Sequence, residues 1–171
     1  QAIGGSTNGL IHLTAIANRT KNRIDLEAFD KLSREVPVLI DLKPSGEHYM
    51  EHFHHAGGVP KLMAQLGDLL DLDAKTITGA TLREVVAGAE EVPGQDAIRP
   101  RGNPIKPEGA MAVLHGNLAP RGAVIKPSAA TPALMVHTGR AVVFEDSDDF
   151  HHRIDDEALD VDETCILVLK N

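Results

Sequence analysis

Histidine is concentrated in one short segment of the sequence. Four of the nine histidines lie within residues 47–55, in the order Glu-His-Tyr-Met-Glu-His-Phe-His-His. His48 and His52 are four residues apart, so a helix would bring both imidazoles to one face at a spacing that can hold zinc. The order differs from the His-Glu-x-x-His motif of zinc proteases, because Glu51 directly precedes the second histidine. The favoured alternative is a solvated helix that packs its other face inward, since no third ligand is fixed nearby. That face would consist of Tyr49, Met50 and Phe53.

A second candidate is the Gly-Gly-Ser-Thr-Asn segment at residues 4–8, which precedes an apolar series of helical spacing. The pattern predicts a glycine-rich loop that opens a helix. Free backbone N–H groups and the helix dipole both favour an anion at such a position. The alternative is that Ser6, Thr7 or Asn8 only caps the helix, which is the common use of these residue types.

Other reactive side chains do not define a reaction. The single cysteine, Cys165, lies in an apolar stretch without a neighbouring histidine or base, which predicts a buried and inert thiol. Asp146, Asp148 and Asp149 are typical of a helix start rather than of a calcium loop. No Ser, His and acid set has a spacing specific enough to nominate a catalytic triad.

Composition narrows the class of partner. The 171 residues carry 25 acidic and 17 basic side chains, a net charge of −8, without a basic stripe, so nucleic acid is not an expected partner. Apolar runs are much shorter than the roughly 20 residues that a membrane span needs, and no signal peptide is visible. We therefore expect a cytoplasmic chain that contacts no membrane.

The secondary structure that would position these side chains is predicted to change from helical to β-rich along the chain. Up to residue 92 the patterns predict mainly helices, including one capped by Asp25 and one opened by Thr81 and Glu84. Residues 36–42 predict a short buried strand that ends in the turn Lys-Pro-Ser-Gly. Beyond a Pro- and Gly-rich linker at 93–108, short apolar runs predict a β-rich unit. These strands are expected at 110–114, 123–125, 141–144 and 165–169, with a helix at 148–154 capped by Ser147.

Several short motifs follow one another along the chain. They are Gly-Gly-Ser-Thr-Asn (4–8), Asp-Leu-Lys-Pro-Ser-Gly (41–46), Ala-Gly-Gly-Val-Pro (56–60), Thr-Ile-Thr-Gly (76–79), Ile-Arg-Pro (98–100), His-Gly-Asn-Leu-Ala-Pro (115–120) and Gly-Ala-Val-Ile-Lys (122–126). Together they resemble the dihydroxyacid dehydratase and phosphogluconate dehydratase family over essentially the whole chain. Residues 126–130 and 138–146 are more similar to its pentonate (arabinonate or xylonate) dehydratases than to its branched-chain enzymes.

The resemblance implies an α/β fold and an internal fragment of a longer enzyme. Residues 1–92 would be the mainly helical end of an N-terminal α/β domain, and 93–108 a linker. Residues 109–171 would be the first strands of a C-terminal β-barrel domain.

The resemblance also implies a hydro-lyase that converts a 2,3-dihydroxy sugar acid, an aldonate such as arabinonate or xylonate, to a 2-keto-3-deoxy acid. The family enzyme would use an iron–sulfur cluster and Mg²⁺, with a homo-oligomeric (dimeric or tetrameric) assembly. No catalytic residue or metal ligand is expected in this chain, which alone would be inactive. The substrate contacts implied within it are Ser6, Thr7, Asn8, Lys43 and Ser45.

Three alternatives stay open at this point. One is a dihydroxyacid dehydratase of branched-chain amino-acid synthesis. Another is a non-catalytic module that binds zinc or another divalent metal through His48 and His52. The third is a structural segment that buries apolar faces and an unpaired strand edge against other protein.

Overall fold

The computed structural model describes residues 1–170. The chain divides into two compact units, the first from Gln1 to Ala129 and the second from Ala130 onward. Helices and short strands occur together, so the predicted mixed α/β class is confirmed. Among the described residues the strands form two separate two-stranded sheets, and closure into a barrel stays a prediction.

The first unit contains five α-helices among its described residues. Three of them begin at the polar side chains that the sequence predicts as caps. Ser6 accepts from the Asn8 backbone N–H at 3.2 Å, and Asp25 caps the second helix. Thr81 and Glu84 form a reciprocal capping box. The helices are α1 (Thr7–Ala17), α2 (Leu26–Glu35), α3 (Met50–His55), α4 (Gly58–Leu66) and α5 (Leu82–Ala87).

The expected strand at 36–42 is wrong as regular structure, although the segment is buried as predicted. Leu39 is fully buried and Ile40 is 4 % exposed. The backbone makes only isolated bridges, from Val38 to Lys106, from Ile40 to Ile98 and from Leu42 to His48. Because its partners are irregular segments, no continuous ladder forms. The extended segment nonetheless runs through the core and leads directly into the turn at 43–46.

The predicted helix around the histidines begins later than expected. Residues 41–48 form a closed turn, in which the His48 N–H donates to the Asp41 carbonyl at 3.2 Å and the Lys43 N–H donates to the His48 carbonyl at 2.8 Å. His48 therefore precedes α3, although its ring still lies edge-on to that of His52, with centroids 5.3 Å apart. Phe53 packs inward, but Tyr49 and Met50 are exposed, which corrects the predicted inner face.

A β-hairpin closes the first unit. Strands β1 (Ala112–Leu114) and β2 (Ala123–Ile125) pair antiparallel, with Val113 opposite Val124. The hairpin is attached to α2, because the Asp30 carboxylate accepts from the Val113 N–H at 2.8 Å. The chain leaves β2 through Lys126 into a 3₁₀ turn, Pro127–Ala129.

The second unit is built on a parallel pair of strands, β3 (Ala141–Phe144) and β4 (Ile166–Leu169), with α6 (Ser147–Arg153) between them in the chain. Phe144 is fully buried and packs edge-on against Phe150, with ring centroids 5.1 Å apart. The predicted cap, Ser147, is wrong by one residue, because the Asp146 carboxylate accepts the Asp149 N–H at 2.8 Å. Cys165 directly precedes β4 and is only half-buried, with its thiol 3.4 Å from the Asp162 carboxylate.

Helix α1 exposes much of its apolar surface. Leu10 is its one buried residue, whereas Ile11, Leu13 and Ile16 are each more than half exposed. A helix that is apolar on most sides is typical of one covered by other protein. No helix within residues 1–170 combines the length and apolar character that crossing a membrane requires.

Candidate functional site

A cavity of about 720 Å³ lies in the first unit where the start of α1, the turn after the buried segment and the end of β2 meet. We call it the lysine cavity. Its lining comprises residues 3–7, 42–45, Ile40, Met50, Phe53, Val59, Lys126, Ser128 and Ala129. The volume is within the range of small-molecule sites in proteins.

The charges that line this cavity have one sign. Lys43 and Lys126 are the charged lining residues, and no Asp or Glu is among the described residues that form the wall. Four hydroxyl side chains, those of Ser6, Thr7, Ser45 and Ser128, accompany them on an otherwise apolar surface. In a chain of net charge −8, such a wall favours an anionic ligand that also carries hydroxyl groups.

The first wall is the glycine loop that opens α1. Gly4 has a φ of +68°, a left-handed conformation that glycine adopts without a Cβ penalty. Its N–H donates to the Gln1 carbonyl at 3.1 Å and closes a tight turn. The loop is also tied to the core, because the Leu39 N–H donates to the Ala2 carbonyl at 2.9 Å. The loop therefore brings Ser6 and Thr7 into the cavity wall.

The second wall is the turn that ends the buried segment. The Asp41 carboxylate accepts the Glu47 N–H at 3.1 Å, and Gly46 packs so closely that an added Cβ would lie 2.1 Å from the Asp41 Oδ1. The Lys43 ammonium donates to the Tyr49 hydroxyl at 2.8 Å and lies 4.2 Å from the centroid of its ring. One tightly packed turn thus presents both Lys43 and Ser45 to the cavity.

The third wall follows β2. The Lys126 ammonium donates to the Gly4 carbonyl at 2.7 Å, and its side chain is half-buried. The hairpin that carries it is fixed through Asp30, where the Val113 backbone N–H, and after it the Arg34 guanidinium, hold the pKa of the carboxyl below its usual value. This hydrogen bond therefore joins two parts of the cavity wall that lie 122 positions apart in the sequence.

A second hollow, of about 480 Å³, is lined by three of the four clustered histidines, and we call it the histidine cleft. Its lining comprises His48, His52, His55, Ala56 and residues 92–97. His48 Nε2 lies 3.0 Å from the Asp96 carboxylate, and His52 Nδ1 accepts the Tyr49 N–H at 3.1 Å. Within residues 1–170 no three His, Cys, Asp or Glu side chains are arranged to hold a metal ion.

Sequence models of two regions of one protein family match the chain. The sequence model of the dihydroxy-acid/6-phosphogluconate dehydratase N-terminal region matches residues 1–85, and that of the C-terminal region matches residues 96–171. The chain belongs to this dehydratase family. The resemblance predicted from the sequence motifs is confirmed. The lysine cavity draws residues from both matched regions, because Lys126 and its neighbours lie in the second.

Relatives of two kinds are similar to this dehydratase-family chain. It is 49 % identical to an L-arabinonate dehydratase of Rhizobium leguminosarum and 48 % identical to an L-arabonate dehydratase of Azospirillum brasilense, each over 99 % of the chain and 30 % of the relative. It is 46 % identical to a dihydroxy-acid dehydratase of Pelobacter propionicus, over 84 % of the chain and 26 % of the relative. The chain thus spans about 30 % of the length of these relatives.

Of the five residues predicted to contact substrate, the structure brings four together in one cavity wall and leaves one outside it. Ser6, Thr7, Lys43 and Ser45 line the same cavity, and their contact with a substrate stays a prediction. Asn8 lies outside the lining. Its backbone N–H donates to the Ser6 side chain at the helix cap.

Sequence reasoning missed the third wall of the cavity, with Lys126 and Ser128. The available signal was a lysine directly after the apolar run of β2, within a motif of the dehydratase family. That signal could not name Gly4 as its partner, because nothing local in the sequence relates two positions so far apart.

Proposed function

We propose that the whole protein is a hydro-lyase that dehydrates an aldonate, such as arabinonate or xylonate, to a 2-keto-3-deoxy acid. The observation that carries the proposal is the lysine cavity, in which Lys43 and Lys126 face no carboxylate of the wall and hydroxyl side chains lie beside them. The similarity to an L-arabinonate and an L-arabonate dehydratase supports this choice of substrate.

The cavity suits an aldonate by its chemistry. A sugar acid carries one carboxylate and several hydroxyls, and each of these groups loses water when it is bound. Ammonium groups and hydroxyl side chains replace those lost hydrogen bonds. In the proposal Ser6, Thr7, Lys43 and Ser45 contact the substrate and orient it. Asn8 is left out, since it does not line the cavity.

The iron–sulfur cluster and Mg²⁺ implied by the family resemblance do not fit the described residues. Cys165 is the one cysteine of the chain, and its thiol lies against the Asp162 carboxylate. No three ligating side chains converge within residues 1–170. The proposal therefore assigns the ligands of both metals to other parts of the whole protein, and it assigns no chemical step to residues of this chain.

A dihydroxyacid dehydratase of branched-chain synthesis is the second candidate. The apolar part of the cavity wall, which includes Ile3, Ile40 and Leu42, is suited to an aliphatic substrate tail. Relatives named dihydroxy-acid dehydratase reach 46 % identity. The two candidates differ in the end of the substrate that is remote from the carboxylate, which a comparison of substrates can test.

The test is a 2-keto acid assay on the whole protein, supplied with iron, sulfide and Mg²⁺. Arabinonate, xylonate, gluconate and dihydroxyisovalerate would be compared at equal concentration. We expect kcat/KM for a pentonate to exceed that for dihydroxyisovalerate by about tenfold or more, since unpaired polar groups in a site penalise an apolar analogue. The opposite preference would favour the second candidate. Turnover by residues 1–171 alone would contradict the assignment of catalytic groups elsewhere.

We also propose that the whole protein is a cytoplasmic homo-oligomer, a dimer or a tetramer. The exposed apolar side chains of α1, including Ile11 and Ile16, support burial of this helix against other protein. Sedimentation of the whole protein would test the assembly. A monomer at high concentration would contradict it.

A further inference from the structure

Lys126 joins two parts of the cavity wall that are distant in sequence. Its ammonium donates to the Gly4 carbonyl at 2.7 Å from a half-buried side chain. Among the described residues this carbonyl is its one hydrogen-bond acceptor, and no carboxylate of the wall competes for the charge. A charged donor forms a stronger hydrogen bond to a carbonyl than a neutral one does. This contact is therefore the main constraint on the Lys126 side chain.

The bonded carbonyl belongs to the glycine-rich part of the wall. Gly4 is followed by Gly5, and glycine has the widest range of backbone conformations. The Gly4 carbonyl and the Gly5 N–H belong to one planar trans peptide, so they point in opposite directions. Fixing the carbonyl on one side therefore also fixes the direction of the Gly5 N–H and the path of the chain into Ser6. Ser6, which follows directly, both caps α1 and lines the cavity.

We propose that Lys126 is a positioning residue for substrate binding. It acts through the Gly4 carbonyl and holds the glycine loop, with Ser6 and Thr7, in the form that lines the lysine cavity. The inference rests on the proposed function of that cavity. Lys43 does not duplicate this role, because its ammonium is directed to the hydroxyl and ring of Tyr49.

The test uses the whole metal-loaded protein with two substitutions at this position, Lys126→Met and Lys126→Arg. Methionine retains much of the apolar stem and removes the donor, whereas arginine restores a charged donor. Lys31→Met is the matched control, since Lys31 lies on α2, outside the cavity lining, and its side chain is 77 % exposed. Three quantities are measured: KM and kcat for arabinonate, the melting temperature, and hydrogen exchange of backbone amides in the glycine loop.

For Lys126→Met we expect KM to rise about tenfold while kcat stays within about threefold, the scale of one charge-assisted hydrogen bond. The amides of Gly4 and Asn8, which donate hydrogen bonds inside the loop, should exchange faster. Lys126→Arg should recover most of the loss in KM. Lys31→Met should match the unsubstituted protein in all three measurements.

Two results would overturn the inference. One is an unchanged KM together with unchanged exchange at Gly4 and Asn8 in Lys126→Met. The other is a fall in melting temperature and kcat with KM unaltered, which would indicate a structural role alone. Failure of the proposed function would look different, because the unsubstituted protein would turn over none of the sugar acids. The exchange measurement needs no substrate and would still decide whether Lys126 fixes the loop.

Discussion

Both the lysine cavity and the histidine cleft take side chains from one turn, residues 41–48. In the cleft two of the three histidines are engaged, since His48 pairs with Asp96 and His52 accepts the Tyr49 backbone N–H. In the cavity each ammonium group has one hydrogen-bond partner among the described residues and could donate two more hydrogen bonds. The cavity thus keeps free charged donors, whereas two of the three histidines of the cleft are already engaged.

The residue types in a site and their availability to a ligand are separate properties. Four histidines in nine residues are a strong compositional signal, but the turn at 41–48 removes His48 from the helix and directs its ring to a carboxylate. Two isolated lysines are a weak signal, but the fold brings them to one cavity whose described lining has no acidic side chain. A ligand site requires groups that the protein itself leaves unpaired.

The largest effect is expected at Gly46, because the turn that serves both regions depends on it. A Cβ at this position would lie 2.1 Å from the Asp41 Oδ1 and 2.7 Å from the Leu42 backbone N. The backbone cannot yield easily, since Asp41 is held by the N–H groups of Glu47 and His48. We expect Gly46→Ala to lower the free energy of unfolding by about 3 kcal/mol, measured by urea denaturation.

Gly102→Ala is the control for this prediction. No atom lies within 4 Å of a Cβ built at Gly102, and its backbone is not left-handed. The control should change the free energy of unfolding by less than about 0.5 kcal/mol. Equal stability of the two variants would show that the turn is not a tightly packed support for either region.

The sequence predicted the features of this architecture that depend on neighbouring residues. Ser6, Asp25 and Thr81 cap their helices as expected, because a cap is decided within about four residues. The segment 36–42 was predicted as buried but not as irregular, because a strand also needs a regular partner. The contact of Lys126 with Gly4 depends on the path of the whole unit, so no local pattern indicates it.

The next largest effect is a difference in KM between a variant in the lysine cavity and one in the histidine cleft. Lys43 lines the cavity with a charged donor, so Lys43→Met in the whole protein should raise KM for the sugar acid about tenfold. His55 lines the cleft and its side chain is 70 % exposed, so His55→Ala should leave KM within about twofold. Steady-state kinetics on arabinonate would measure both variants.

Reversal of that order would undermine the distinction between the regions. A larger effect of His55→Ala than of Lys43→Met would mean that substrate binds on the histidine side. Melting temperatures of both variants are needed as well, so that a loss of folded protein is not counted as a loss of affinity.

A smaller effect concerns how the third wall is attached, through Asp30 and the Val113 N–H. The pKa of the Asp30 carboxyl is lowered in the folded chain, by that N–H first and by Arg34 after it. A lowered folded-state pKa stabilises the fold above the unfolded-state pKa of about 4, and this stabilisation is lost as the pH falls through the folded-state value. Asp30→Asn should therefore cost about 1 kcal/mol at pH 6 and progressively less in acid.

Urea denaturation between pH 6 and pH 3 would measure this difference. Glu35→Gln on the same helix is the control, since its ion pair with Lys31 is exposed and 3.9 Å long. An Asp30→Asn difference that grows as the pH falls would contradict the assigned sign.

The smallest effect is expected for zinc, which should not bind in the histidine cleft. Tight binding needs three or four ligands at about 2 Å, and residues 1–170 contain no such arrangement of side chains. His52 would also have to release the Tyr49 backbone N–H before its ring could coordinate the ion through the other nitrogen. Calorimetric titration of residues 1–171 with zinc should therefore show no micromolar site, with His48→Ala and His52→Ala titrating like the unsubstituted chain. A stoichiometric site that either substitution abolishes would show that the cleft rearranges to bind metal, and the contrast with the lysine cavity would fail.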